Sequence, residues 1–523
     1  MGTSNRRLAT VRSLATPKEE LRAALQNALD AKKTIESRRK LGQFSTPFEL
    51  AHDIVSFGLS LHDESIPLTF FDPAFGTGVF YSSLIALAGT DKIAYAKGIE
   101  LDEHYGLPSQ NLWSDTGINI QIADFTKLQA EKKCNFVICN PPYVRHHLIE
   151  NAEKKRIKEK TYRNSGENIS GLAGLYCHFL LQSYQWMEED GIAGWLIPSE
   201  FMDVNYGKDI KHFLLNKVEL LRIHRFDPNS IQFNDALVSS TVVWFKNRKP
   251  DKESNIEFSF GGNLHNPKVM RKISAEILKI EPKWTRFPLM QPRQTEHKTP
   301  RLSDYFEVKR GIATGSNNFF IIPKQKIIEL DLPFEFFRPV LPSARYVHET
   351  EIMSDEYGNP LLSKELFLLD CRLSEEEVQK NHPTLWKYFE HGRETISNGY
   401  LCRTRKCWYF QEQREVPPIV CTYMGREKSD SKTSFRFILN HSNAIVTNSY
   451  LALYPKDNLI QALAIKPELK RIIWMMLNNL HPASITSEGR TYGGGLKKIE
   501  PSELLNVPLP QMQEILPEII TLK

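Results

Sequence analysis

Apolar positions in the first half of the chain alternate between short runs of strand length and longer stretches of helical period. Leu68-Thr69-Phe70-Phe71, Ile93 to Ile99, Ile118 to Ala123 and Phe136-Val137-Ile138-Cys139 are short runs bounded by turn residues, and each predicts a buried strand. Val79 to Ala88 follows the first of them with a helical pattern. Upstream, Leu21, Ala24, Leu25 and Leu29 recur at helical spacing, so residues 17–40 read as a leading amphipathic helix ending in Ser37-Arg38-Arg39-Lys40. Downstream, Val238 to Phe245 reads as a further strand. Such alternation predicts an α/β domain with a doubly wound sheet.

The strand ends carry polar groups. The first run leads into Asp72-Pro73-Ala74-Phe75-Gly76-Thr77-Gly78, and the glycines let a backbone approach a ligand where a side chain would obstruct it. Position 81 is Tyr81, so the turn lacks the full Gly-x-Gly-x-x-Gly. The second strand ends in Glu100, placed where an acid binds ribose hydroxyls, and the third in Asp124. Asp72, Glu100, Asp124 and Asn140 are therefore expected in that order along one sheet edge, as a nucleoside pocket. The glycine turn alone leaves NAD and S-adenosylmethionine both open.

Asn140-Pro141-Pro142-Tyr143 separates them. Two prolines have fixed φ and no N–H, so the turn is stiff and rich in carbonyls. The Asn140 oxygen and a backbone carbonyl can accept two hydrogen bonds from one planar amine, and Tyr143 offers a ring on which a base can stack. Hydride transfer has no use for such a pair.

On these motifs the chain resembles the amino-methyltransferases of DNA, specifically the gamma-ordered N6-adenine enzymes of type II restriction–modification systems. Gly42-Gln43-Phe44-Ser45-Thr46-Pro47 is similar to the family's N-terminal motif, Leu175-Tyr176-Cys177-His178-Phe179 to the helix that closes over the cofactor, and Gly194-Trp195-Leu196-Ile197-Pro198-Ser199-Glu200-Phe201 to the strand and loop after it. The resemblance implies a class I S-adenosylmethionine-dependent (Rossmann-like) methyltransferase fold. It also implies cofactor contacts at Thr46, Asp72, Ala74, Phe75, Gly76, Gly78, Glu100, Asp124, Asn140 and Phe179. Asn140, Pro141, Pro142 and Tyr143 would serve catalysis, with Phe233 as a second aromatic on the flipped base. It implies duplex DNA as partner, a cognate endonuclease acting separately, and a monomer. Cytosine N4, an RNA base or a protein glutamine are the alternative amines.

The second half resembles the family's target-recognition domain through Leu302 to Gly315 and Thr491 to Pro501, and offers short β-like runs with helical patterns between Asn458 and Leu477 that Pro467 divides. Candidate DNA contacts are Lys154, Lys155 and Arg156 after the Asn-Pro-Pro-Tyr turn, Arg310 and Arg345, and the cation–aromatic run Arg403-Thr404-Arg405-Lys406-Cys407-Trp408-Tyr409. The charged, proline-containing stretch from Asn247 to Asn255 reads as a linker, giving an N-terminal helical extension (1–36), a catalytic domain (37–250) and a recognition domain (251–523).

Composition changes this picture little. A net charge of +5 over 523 residues is compatible with a polyanion partner. Seven scattered cysteines argue for a reducing cytoplasm rather than a disulfide framework, and Cys402 and Cys407 lack a second pair at zinc spacing, so no metal is expected. No run is apolar and long enough to cross a bilayer, and no signal peptide is legible.

Overall fold

A computed structural model describes residues 16–227, 239–251, 253–290, 299–426, 434–492 and 495–516. The first of two units covers Met1–Gln294, with Tyr492–Gly494 grouped to it; the second covers the rest.

The first unit is built on nine strands: β1 (Leu68–Asp72), β2 (Ile93–Glu100), β3 (Asn119–Ile122), β4 (Cys134–Cys139), β5 (Met187–Pro198), β6 (Glu219–Arg225), β7 (Ser240–Lys246), β8 (Asn255–Gly262) and β9 (Pro267–Ser274). They lie in the order β3-β2-β1-β4-β5-β7-β6-β8-β9. The first five are mutually parallel, β7 runs antiparallel between β5 and β6, β8 pairs parallel with β6, and β9 closes the edge antiparallel. Around the sheet lie α1 (Pro17–Ala31), α2 (Ile35–Lys40), α3 (Phe48–Leu61), α4 (Val79–Ala88), α5 (Glu103–Leu112), α6 (Asn151–Ser165), α7 (Leu175–Ser183) and α8 (Lys208–Asn216).

The strands alternate between two cores. Phe71, Val137, Trp195, Val243 and Phe245 pack on one face with α7 and α8; Phe70, Phe136, Ile138, Leu196 and Trp244 pack on the other with α3 and α4. Successive side chains of a strand point to opposite faces, and here both faces are covered. That is why the strands read as continuous apolar runs rather than as a polar–apolar alternation. At about 1.5–3 kcal/mol per buried Val, Ile or Phe, the two cores fix the sheet against which the loops are set.

Three expectations change. The strand ends line up as Asp124, Glu100, Asp72, Asn140, because the chain runs outward from β1 through β2 to β3 and then crosses back to β4 on the other side of β1. The β1/β4 junction is the switch point where open α/β sheets bind ligands. The unit boundary falls at 294/295 rather than near 250: the charged stretch around 250 is a connection into β8 and β9, which belong to the first sheet. Its composition marks a solvated loop, not a domain linker. The leading helix breaks into α1 and α2 and is no separate extension, since Glu19 and Arg22 of α1 are buried against the sheet domain.

The second unit carries a five-stranded sheet of Phe306–Arg310, Tyr450–Pro455, Ile419–Thr422, Phe437–Asn440 and Glu351–Ile352, antiparallel except at the last pair. A three-stranded sheet of Ile321–Pro323, Leu366–Leu369 and Phe337–Val340 accompanies it. The helical stretch near its end divides around Pro467 into Asp457–Ile465 and Leu469–Asn478. All seven cysteines are free thiols. Among the described residues no helix is long and apolar enough to cross a membrane, and no group of His, Cys, Asp and Glu is arranged to hold a metal.

Candidate active site

The Asn-Pro-Pro-Tyr turn leaves the end of β4, next to the end of β1. Asn140 Nδ2 donates to the Phe44 carbonyl at 3.2 Å and to Thr46 Oγ1 at 2.9 Å. A carbonyl can only accept, so the nitrogen end of the amide must face Phe44 and the oxygen end must face away. Asn140 Oδ1 is buried and meets no hydrogen-bond donor among the described residues. A buried amide oxygen in that condition carries a desolvation cost of about 1–3 kcal/mol until a donor reaches it.

The rest of the turn has little to offer as a donor. Pro141 and Pro142 have no N–H, and the Tyr143 N–H is taken by the Gly42 carbonyl at 3.3 Å. Gly42 has to be glycine: its φ is +67°, and a Cβ there would stand 2.4 Å from Tyr143 N. The Tyr143 hydroxyl donates to the Leu196 carbonyl at 3.0 Å, and its ring lies 5.8 Å from Phe44 and 6.4 Å from Tyr176. Burial pushes that phenol well above its ordinary pKa, so it stays a donor. The N-terminal motif and the turn are thus one unit, with Phe44, Thr46 and Gly42 all touching it.

The glycine loop after β1 is held from several sides. Gly76 N donates to Glu100 Oε2 at 2.8 Å, and Glu100 Oε1 accepts from Asp102 N at 2.8 Å. Ser109 Oγ donates to the Gly76 carbonyl at 2.8 Å, and Trp113 Nε1 to the Thr77 carbonyl at 2.9 Å. Gly76 has φ +57°, and a Cβ there would project into open space within the loop. Asp72 is buried and accepts from Ala74 N at 3.0 Å; burial, with Glu100 nearby, pushes its carboxyl up to about 7. Burial also raises Glu100, against the hydrogen bonds that Asp102 and Gly76 donate to it. Open space at Gly76, two acids beside it and an orphaned acceptor at Asn140 form a set of acceptors that fits a cationic nucleoside next to an amine.

Asp124 caps the turn after β3, accepting from Thr126 N at 2.9 Å and Thr126 Oγ1 at 2.6 Å. Phe125 next to it packs on Phe179 of α7, with centroids 4.9 Å apart. Arg156, read from the sequence as a DNA contact, faces this turn. It donates to the Thr126 carbonyl at 2.9 Å and to Thr126 Oγ1 at 2.7 Å, pairs with Glu153, and stands 3.7 Å from Asp124. Lys155 on the same helix is exposed and Lys154 half-buried. Phe233 lies outside the described residues.

In the second unit the cation–aromatic run divides. Tyr409 is buried and stacks on Phe389 at 4.2 Å, and Arg405 donates to the carbonyls of Thr314 and Ala313 at 2.9 and 2.8 Å. Those residues build the fold. Arg403 and Lys406 remain exposed. Arg310 lies over the Tyr423 ring at 4.1 Å, and exposed Arg345 over the Tyr346 ring at 4.6 Å.

The family models agree with the two-part layout. Residues 83–232 match the Eco57I restriction-modification methylase, and residues 283–522 match the C-terminal domain of the type II methyltransferase M.Eco57I. The chain belongs to the type II restriction–modification methyltransferases. Among curated members, M.AccI of Acinetobacter calcoaceticus is 26% identical over 90% of this chain and 85% of its own length. M.XamI of Xanthomonas campestris pv. amaranthicola is 24% identical over 91% and 86% respectively. The fold is similar to that of the type IIL restriction–modification enzyme MmeI, solved in complex with DNA, with a TM-score of 0.54, 14% identity, and coverage of 84% of this chain and 66% of that one.

For a methyltransferase of this family, several residues of the frame were not legible beforehand. Ser109, Trp113 and Asp102 have no motif of their own and act only through the turns that the fold brings to them. Arg22 and Glu19 look in sequence like any i,i+3 pair on a solvated helix face.

Proposed function

We propose that the protein transfers a methyl group from S-adenosylmethionine to the exocyclic N6 of an adenine flipped out of a short duplex recognition sequence. The observation that carries this reading is the Asn140 amide: its nitrogen is tied to Phe44 and Thr46, and its buried oxygen awaits a donor. Bound at the glycine loop, S-adenosylmethionine supplies an electrophilic methyl group on a sulfonium leaving group. Thr46, Asp72, Ala74, Phe75, Gly76, Gly78, Glu100, Asp124 and Phe179 are the residues that would hold it.

The amine lone pair of adenine is delocalised into the ring and is a poor nucleophile. Asn140 Oδ1 and the Pro141 carbonyl would each accept one amine hydrogen, favouring a pyramidal nitrogen with its lone pair toward the methyl group. The rest is positioning and electrostatics, supplied by groups whose orientation is already fixed. Flipping the base costs a few kcal/mol, and stacking on Tyr143 offsets roughly 1–3 kcal/mol of it. Duplex DNA is the partner under this reading, the protein acts as a monomer, and a separate endonuclease is the enzyme whose cleavage the modification blocks.

Methylation sequencing of genomic DNA from a methylation-free bacterial host expressing the chain tests the proposal. N6-methyladenine at one short motif, lost with Asn140→Ala, is the expected result. N4-methylcytosine would move the substrate while keeping the mechanism, and unmodified DNA in the presence of folded, S-adenosylmethionine-binding protein would overturn it.

A further inference from the structure

Helix α1 carries a buried ion pair that no apolar pattern explains. Arg22 Nε and Nη2 each donate to the Glu19 carboxylate at 2.7 Å, with both side chains almost wholly covered. Replacing such a pair by apolar residues is often neutral or stabilising, so its presence in a helix-to-helix interface calls for a role besides stability. Its remaining contacts name one. Ser82 Oγ of α4 donates to Glu19 Oε2 at 2.6 Å, and Arg22 Nη1 donates to Thr77 Oγ1 at 2.9 Å. Thr77 sits between Gly76 and Gly78 of the glycine loop. Its hydroxyl, accepting from Arg22, donates onward to Gln26 Oε1 at 2.6 Å, and Gln26 Nε2 donates to Asp30 at 3.0 Å.

Thr77 is therefore gripped at both ends, by Trp113 through its carbonyl and by α1 through its hydroxyl. The loop needs such a grip. Gly76 and Gly78 hold φ of +57° and +84°, and a glycine turn left to itself samples many other conformations. Ordering it beforehand removes that cost from ligand binding.

We propose that Arg22 is a positioning residue for the cofactor, acting through Thr77 with Gln26, so that α1 is part of the S-adenosylmethionine site. This rests on the reading of the glycine loop as the cofactor cradle. Arg22→Met keeps the length and apolar stem of the side chain and removes the donors. It is measured by calorimetric titration of the full-length protein with S-adenosylmethionine, together with steady-state methylation of duplex DNA. The expected result is a cofactor Kd and KM weakened about tenfold or more, in line with removal of one hydrogen bond to a charged group, while kcat at saturating cofactor stays within about twofold. Thr77→Val is expected to reproduce the weakening and Thr77→Ser to restore affinity. If Arg22→Met does not fold, the Thr77 pair reads the same interaction.

Unchanged Kd in folded variants overturns the inference. So does a lower kcat at unchanged KM, the signature of a smaller active fraction and of a merely structural pair. Failure of the wild-type protein to bind S-adenosylmethionine would instead overturn the cradle reading itself, and the inference with it.

Discussion

The strand ends of the first unit and the segment around residues 400–410 of the second treat their polar groups in opposite ways. At the strand ends the polar groups are held by the fold: Glu100 by two backbone N–H groups, Asp72 by one, and the Asn140 nitrogen by a carbonyl and a hydroxyl. The buried Asn140 oxygen meets no donor among the described residues, and it lies where the sheet reverses its winding. Around residues 400–410 the occupied groups belong to the fold, as with Arg405 on two carbonyls, while Arg403 and Lys406 point into solvent. The lesson is that chemistry needing a fixed direction is carried by a buried group held on all other sides. Under the proposed function, contact with a polyanion would fall to exposed cations that tolerate many geometries.

If that contrast is right, single substitutions should separate the two regions by size of effect. Asn140→Ala is expected to be the most damaging, lowering kcat on the order of 10²–10³-fold or more while cofactor affinity changes little. Single-turnover methylation beside calorimetric titration checks both halves. Thr46→Val removes one of the two acceptors that orient the amide, and its expected cost is about 10- to 100-fold in kcat, again in single turnover. Tyr143→Ala is expected to lose roughly 1–3 kcal/mol of base stacking, read as a weaker kcat/KM for DNA. Tyr143→Phe, which gives up only the bond to the Leu196 carbonyl, should lose far less.

How much of this was legible in the chain follows from the same contrast. Asn140, Glu100 and Asp72 were readable because a strand end followed by a turn fixes where a polar side chain must go, whatever packs around it. Their order along the edge was not, since the reversal from β1 to β4 depends on which faces of the strands find partners. The boundary near 250 misled because charge and proline mark any solvated connection, including one that returns to the same sheet. In the run from Arg403 to Tyr409, alternating cations and rings look alike whether the rings face a base or a core, and Tyr409 faces Phe389. Arg156 shows a related limit: a helix carrying many cations does not reveal which of them bonds back onto the fold, here onto Thr126.

Smaller effects sharpen the second region. Arg403→Ala and Lys406→Ala should each weaken DNA binding modestly and reduce the slope of log affinity against log salt by about 1 for each phosphate the cation had neutralised. Arg405→Ala should instead lower thermal stability, because Ala313 and Thr314 lose the side chain that ties them. Binding titrations at several salt concentrations, with melting curves, distinguish the three. A separate effect, on stability rather than on activity, concerns Asp72, whose carboxyl is pushed by burial from 3.8 up to about 7. Between those values the unfolded chain loses its proton first, so the group's contribution to stability is full below pH 3.8 and is lost as pH rises through about 7. Asp72→Asn should flatten that part of the pH–stability curve, measured by denaturant unfolding.

The most direct test of the central claim is nucleoside mass spectrometry of duplex DNA after single turnover with saturating S-adenosylmethionine, comparing the wild type with Asn140→Ala. N6-methyladenine is expected from the wild type, and at least about a hundredfold less of it in the same time from a variant that still binds the cofactor. Equal methylation by both proteins would contradict that claim.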